Sequence, residues 1–236
     1  MSEFNTSFSP EARLPENTIH DKEHHLVYTD NLSTASKAII LVTGYPEGPG
    51  ILADLKPKQT LSEIFSLAQE NQTAFIQTYL GPNPLALKKL PANINKALEL
   101  IEGKQTNLTV FSFGAQSLRN LQIPETINQL TLISPVISPD CLQSKFTSLA
   151  VKALSKTLSV PSATEYHQNI SSLINHVQTH PQFKLNLVLG TKDTIANSEK
   201  IKKILLSIFP KITLHEKNRD HVPPNNELVE LLFPKT

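Results

Sequence analysis

Leu108-Thr109-Val110-Phe111-Ser112-Phe113-Gly114-Ala115 is the stretch from which the fold of this chain is read. Leu108 to Ser112 is apolar or β-branched in four of its five positions, as a short buried strand requires. A short helix is expected from about Gly114 to Leu121, so the strand passes into a helix with almost no loop between. Only small residues clear a turn that tight, and Gly114 and Ala115 supply them. A strand that turns at once into a helix is half of a β-α-β unit, and the flanking sequence repeats the pattern.

On the N-terminal side, Ala38-Ile39-Ile40-Leu41-Val42 is a continuous apolar run ending at Thr43-Gly44, which suits a strand buried on both faces. A helix follows over Leu61 to Gln69, with Leu61, Ile64, Phe65 and Ala68 at helical spacing. Thr73 to Leu80 is a second strand closed by Gly81-Pro82, and Ile94, Ala97, Leu98 and Ile101 make the next helical stripe, ending near Gly103. On the C-terminal side come strands over Gln129 to Ile133, Lys184 to Leu189 and Ile212 to His215, with a helix over Ser198 to Phe209 carrying Ile201, Ile204, Leu205 and Ile208. Thr18 to His20 and His25 to Thr29 are expected to add edge strands. Each helical stripe must be buried against a sheet face, and parallel strands joined by helical crossovers achieve this most economically. The expected fold class is therefore α/β, a doubly wound, mostly parallel sheet.

Composition narrows the function classes. The 236 residues suffice for one domain spanning 1–236. Twenty-two Lys plus Arg against twenty-one Asp plus Glu leave a net charge of +1 with no block of like charge, so no nucleic-acid partner is expected. Cys141 is the sole cysteine, which precludes an internal disulfide or a cysteine-based metal cluster. No apolar run approaches the ~18 residues of a membrane span, and the polar N-terminus lacks a signal-like core. A cytoplasmic protein without a membrane span, metal or cofactor is the expectation.

In open α/β sheets function collects at the carboxyl ends of the strands. Those ends offer Thr43-Gly44-Tyr45-Pro46, Ser112-Phe113-Gly114, Ser134-Pro135, Gly190-Thr191-Lys192-Asp193 and, beyond the last strand, Asp220-His221. A serine hydroxyl is a poor nucleophile until a base accepts its proton, and the base needs a carboxylate to orient it. Ser112, Asp193 and His221 supply these three groups, each after its own strand, in the chain order serine, acid, histidine. On these residues the chain, from about Ala38 to its C-terminus, resembles the α/β-hydrolase superfamily. The resemblance implies Ser112 as nucleophile, His221 as general base and then acid, and Asp193 as the residue that holds the imidazole. It also implies an oxyanion hole from the backbone N–H of Phe113 and that of Tyr45, with Thr43-Gly44-Tyr45-Pro46 corresponding to the family's H-G-x-P segment. The implied substrate is a small-molecule carboxylic ester or thioester.

The residues leave alternatives open. Val110 stands where the G-x-S-x-G pattern has its first glycine, and this departure favours a second reading, a hydrolase-like domain that serves as a binding or interaction module. Asp140, after the strand ending at Ser134, is a competing acid. The segment from Asp140 to Gln182 is longer than one crossover helix needs; Phe146, Leu149, Ala153 and Leu154 form a first apolar stripe, and the resemblance implies that this part, about 140–160, is the superfamily's small helical cap, expected to supply an apolar acyl pocket. Tyr166 to Val177 forms a second stripe, expected to be a crossover helix. Gly44, Gly48 and Gly50 invite a phosphate-loop reading but lack its G-K-[ST] ending. His24-His25, His167, His176 and His180 are expected to be surface residues, and Cys141 a small buried or half-exposed one.

Overall fold

The structure is a computed structural model that describes residues 15–44, 51–53, 59–79, 89–143 and 160–233, with residues 51–53 and 59–60 described through their backbone alone. In chain order the strands are β1 (Thr18–Asp21), β2 (Leu26–Thr29), β3 (Lys37–Val42), β4 (Ile51–Ala53), β5 (Gln59–Thr60), β6 (Thr73–Thr78), β7 (Gln105–Phe111), β8 (Ile127–Ile133), β9 (Lys184–Gly190) and β10 (Thr213–Lys217). Among the described residues the α-helices are α1 (Ser62–Glu70), α2 (Leu90–Leu100), α3 (Ala163–Asn169), α4 (Ser171–Thr179), α5 (Ser198–Ile208) and α6 (Asn225–Leu232), with short 3₁₀ helices over Asp30–Ser33, Ser112–Leu118 and Pro139–Cys141.

One eight-stranded sheet runs in the order β1-β2-β6-β3-β7-β8-β9-β10. β3, β6, β7, β8, β9 and β10 pair in parallel, while β2 is antiparallel to β6 and β1 to β2. The small ladder of β4 with β5 stands apart from this sheet. Alternation along each strand assigns side chains to two faces. Ile40, Val42, Leu108, Val110, Leu130, Leu132, Leu187 and Leu189 are buried with α2, α3 and α5 through Ile94, Ala97, Tyr166, Ile201 and Leu205. Ile39, Leu41, Phe75, Phe111, Ile133 and Val188 are buried on the opposite face with Ile64, Phe65 and Ala68 of α1 and Leu228 and Leu232 of α6. The continuous apolar run of β3 is thus explained by burial on both sides, and the doubly wound α/β fold read from the sequence is the one found.

Several local expectations are corrected. The segment after Ser112 is a 3₁₀ helix beginning at the serine itself rather than an α-helix beginning near Gly114. The stripe from Tyr166 to Val177 is two helices, broken at Ile170, whose φ of −106° and ψ of 20° leave the helical region. The last strand is Thr213–Lys217 rather than Ile212 to His215. His176 is buried at 6% exposure, not at the surface. Its ring stacks on His180 at 4.1 Å and meets the edge of Phe183 at 4.8 Å. Burial disfavours its charged form, with His180 adding repulsion, so its pKa lies below the ordinary histidine value. The cap expected over about 140–160 falls outside the described residues from 144 to 159.

Phe65 tests the second core. Its ring is fully buried and meets Phe75 edge to face at 4.8 Å. Phe65→Ala is expected to cost about 3–5 kcal/mol of unfolding free energy in denaturant titrations, through lost transfer energy and the cavity left behind. A cost below about 1 kcal/mol would contradict this packing.

Candidate active site

The register of the central strands sets the site. Val42 of β3 pairs with Val110 of β7 and Thr78 of β6, so Thr43-Gly44 runs alongside Phe111-Ser112. Thr43 donates from both its N–H and its hydroxyl to the carbonyl of Thr78, at 3.0 Å each, which ties the end of β3 to β6. At Ser112 the chain turns with φ of +53°, a left-handed conformation that side-chain-bearing residues adopt only when the surroundings hold them there. The surroundings do so here. The Ser112 carbonyl accepts from Val136 N at 3.0 Å, the carbonyl of Val136 accepts from Gln116 Nε2 at 2.7 Å, and Tyr166 Oη donates to the Ala115 carbonyl at 3.0 Å. Tyr166 is a neutral donor, because burial pushes its phenol pKa well above the ordinary value.

Two glycines permit the approach of backbone to backbone. A Cβ on Gly114 would stand 2.7 Å from the Val42 carbonyl oxygen, and one on Gly44 would stand 3.0 Å from Ser112 Cβ and 3.2 Å from Phe113 N. Val110, which occupies the position of the missing glycine, is fully buried among the α2-side core residues, and the tight turn forms with it in place.

His221 and Asp193 are carried to the same edge by the segments after β10 and β9. His221 Nε2 lies 2.9 Å from Ser112 Oγ, and His221 Nδ1 lies 2.8 Å from Asp193 Oδ2. All three residues are 5% exposed or less. Asp193 Oδ1 accepts from the N–H groups of Ile195 at 2.9 Å and Ala196 at 2.7 Å, so the carboxylate is fully engaged as an acceptor. Nδ1 thus faces the carboxylate and Nε2 faces the serine hydroxyl, the arrangement in which a neutral imidazole with its proton on Nδ1 would accept from Ser112. Phe111 packs against the imidazole with ring centroids 5.1 Å apart. Asp140, the competing acid, is exposed in the turn Pro139–Cys141, and the carboxylate bonded to His221 is that of Asp193.

The acid loop is held by residues that carry no signal in the sequence. Gln143 Nε2 donates to the carbonyls of Asp193 at 2.9 Å and Ala196 at 3.2 Å, and Leu142 bridges to Ala196. Asp220 Oδ1 accepts from Thr194 N at 2.8 Å and from His221 N at 2.7 Å, tying the acid and histidine loops together. Partial burial alone would raise the Asp220 pKa, but the N–H groups of Thr194 and His221 and the Thr194 hydroxyl hold the carboxyl below the ordinary aspartate value. Gly190 lets the loops touch, since a Cβ there would stand 2.5 Å from the Asp220 carbonyl oxygen and 2.7 Å from that of Arg219.

Of the remaining sequence-derived candidates, Phe113 lies directly after the serine with its N–H beside Gly44, while Tyr45 lies outside the described residues. Cys141 is buried, 3.4 Å from Ser138 Oγ, and burial pushes its thiol pKa up, so it is no thiolate. Among the described residues no group of three or more His, Cys, Asp or Glu side chains is placed to hold a metal ion, and no helix is long and apolar enough to cross a membrane.

No protein-family model matches the chain, and no curated protein matches its sequence. Solved structures do match. An esterase of Pyrococcus furiosus is 17% identical with a TM-score of 0.51, covering 89% of this chain and 80% of its own. Esterase B of Lactobacillus rhamnosus is 15% identical with a TM-score of 0.53, over 94% of this chain and 85% of its own. A ferulic acid esterase is 10% identical with a TM-score of 0.59, over 91% and 94%. These neighbours have the α/β-hydrolase architecture, and this chain carries the α/β-hydrolase fold.

Gly190→Ala is expected to displace the segment 219–221, visible in a crystal structure as a His221 Nε2 to Ser112 Oγ separation beyond hydrogen-bond range. Gly103, with φ of +78° and nothing within 4 Å of a built Cβ, is the control; its alanine variant should cost only the conformational strain of about 1 kcal/mol. A pH series tests Asp220. Its folded pKa is depressed, so its stabilisation is present above the unfolded carboxylate value near 4 and is lost as pH falls through the lower folded value. The melting temperature of Asp220→Asn should therefore fall below the parent's at pH 7 and converge on it in strong acid; a gap independent of pH would contradict the tie.

Proposed function

We propose that the protein is a serine hydrolase that cleaves a carboxylic ester or thioester of an apolar acyl group through an acyl-enzyme. The observation that carries the reading is the relay from Ser112 Oγ to His221 Nε2 at 2.9 Å and from His221 Nδ1 to Asp193 at 2.8 Å. In the first half-reaction His221 Nε2 takes the proton of Ser112 as Oγ attacks the carbonyl carbon. The developing oxyanion is received by the backbone N–H groups of Phe113 and Tyr45. The imidazolium, steadied by Asp193, then gives its proton to the departing alcohol or thiol as its bond to the acyl carbon breaks. In the second half-reaction His221 deprotonates a water that attacks the acyl carbon, and collapse returns the proton to Ser112 and frees the acid. Water is the sole co-reactant, so this chemistry calls for no cofactor.

Support for ester chemistry comes also from the neighbours, which are named as esterases and, for one from Paleococcus ferrophilus with a TM-score of 0.51, as a monoacylglycerol lipase. The apolar acyl group rests on the sequence alone, in which Phe146, Leu149, Ala153 and Leu154 fall at helical spacing in the part expected to be a cap. The second reading, a hydrolase-like domain serving as a binding or interaction module, draws on Val110; that side chain is fully buried and Ser112 still turns with φ of +53° two residues on, which favours the enzyme reading.

Turnover of p-nitrophenyl esters of increasing acyl length tests the reading. The parent should show a burst of one p-nitrophenolate per chain followed by steady turnover, and should prefer uncharged acyl groups. His221→Ala should retain its fold by circular dichroism and lose roughly 10⁴-fold or more in kcat. Near-normal turnover in that variant, or strict preference for charged acyl groups, would contradict the mechanism or the pocket respectively.

A further inference from the structure

Arg219 lies two residues before His221, in the segment between β10 and α6. Its side chain is only 8% exposed. Nε donates to Glu227 Oε1 at 2.9 Å, and Nη1 donates to two carbonyls, those of Asp220 at 2.7 Å and His221 at 2.8 Å. Glu227, itself 12% exposed, sits in the first turn of α6, which is anchored in the core by Leu228 and Leu232.

The two carbonyls belong to the peptide planes on either side of the His221 Cα. One guanidinium therefore fixes both planes, and with them the backbone angles from which the imidazole projects. The first of these planes is pinned again through its N–H, which donates to Asp220 Oδ1. Stability alone is a poor account of this arrangement. A buried ion pair is often no better than a packed apolar pair, and among the described residues no hydrogen-bond partner stands against the buried Arg219 Nη2. The geometry of the guanidinium is suited to orientation instead: planar, with donors diverging at fixed angles toward Glu227 on one side and the histidine backbone on the other.

We propose that Arg219, braced by Glu227, is a positioning residue that aims the His221 imidazole at Ser112. The inference rests on the reading of Ser112, His221 and Asp193 as a catalytic triad. It adds a route by which α6 controls the site, because the helix that carries Glu227 becomes the mount for the general base. Arg219 touches no reacting atom and acts through the His221 backbone.

The test compares the parent with Arg219→Ala and Arg219→Lys in three measurements. These are kcat and KM on a p-nitrophenyl ester, melting temperature, and the NMR signal of the His221 Nδ1–H proton held against Asp193. Lysine keeps the ion pair with Glu227 but cannot hold both carbonyls in one plane. Arg219→Lys is therefore expected to melt within a few degrees of the parent, yet to lose about 10²-fold in kcat, the scale of a misplaced catalytic group, with KM within about threefold. Arg219→Ala should lose at least as much kcat and should broaden or abolish the Nδ1–H signal. Both variants retaining kcat within about twofold, with the proton signal unchanged, would overturn the proposal and leave Arg219 a stabilising residue only. The proton signal reads orientation without turnover. A parent that shows the signal but hydrolyses no ester would refute the proposed activity, and loss of the signal in Arg219→Ala would still establish the positioning role.

Discussion

Close approach of main chain to main chain at the carboxyl edge of the sheet is the constraint on which the site depends. At Gly114 the turn after β7 passes the end of β3 at a distance no Cβ could occupy, and at Gly190 the end of β9 meets the histidine segment in the same way. Gly44 completes the set by letting the segment just after β3 lie beside Ser112 and Phe113 N. These contacts set the spacing between strand ends, and the spacing sets whether three side chains from distant parts of the sequence can form one hydrogen-bonded line. Side-chain chemistry at Ser112, Asp193 and His221 is thus downstream of backbone sterics at three residues that have no side chain.

Such a site stores strain. A left-handed serine costs on the order of 1–3 kcal/mol, and it persists because the sheet on either side leaves no alternative. Val42, Val110 and Leu132 are packed on one face and Leu41, Phe111 and Ile133 on the other. Hydrogen bonds from Val136, Gln116 and Tyr166 then satisfy the backbone groups of the turn region. The acid and histidine loops follow the same logic with polar groups: Asp220, Thr194, Gln143 and Arg219 hold backbone in place so that one imidazole has one orientation. The proposed proton transfer needs that rigidity, since both ring nitrogens must be within hydrogen-bond reach at once.

Much of this was legible in the sequence because it depends on local periodicity. The apolar run of β3, the helical stripes of α1, α2 and α5, and glycines at strand ends announce a parallel α/β sheet, and Ser112, Asp193 and His221 follow from their places at three strand ends. What was not legible depends on long-range packing. The eight-residue α6 follows Pro223-Pro224 and opens on two asparagines, and its stripe of Leu228 and Leu232 is too short to separate from a loop. His176 is polar by type, but its ring finds Phe183 and His180, so it is buried where the helical pattern alone places a solvated face. Gln143 and Arg219 act through backbone carbonyls that become neighbours only in the folded chain, and no spacing in the sequence records that. Val110 is the reverse case: a local departure from a motif that the surrounding core accommodates.

The central claim, that Ser112 is activated by His221, is tested most directly by exposing the parent, Ser112→Ala and His221→Ala to a fluorophosphonate and mapping any adduct by peptide mass spectrometry. A single phosphonyl adduct on Ser112 of the parent, absent from both variants on the same time scale, is the result the account predicts. A parent that remains unmodified, or is modified at another residue, would contradict it.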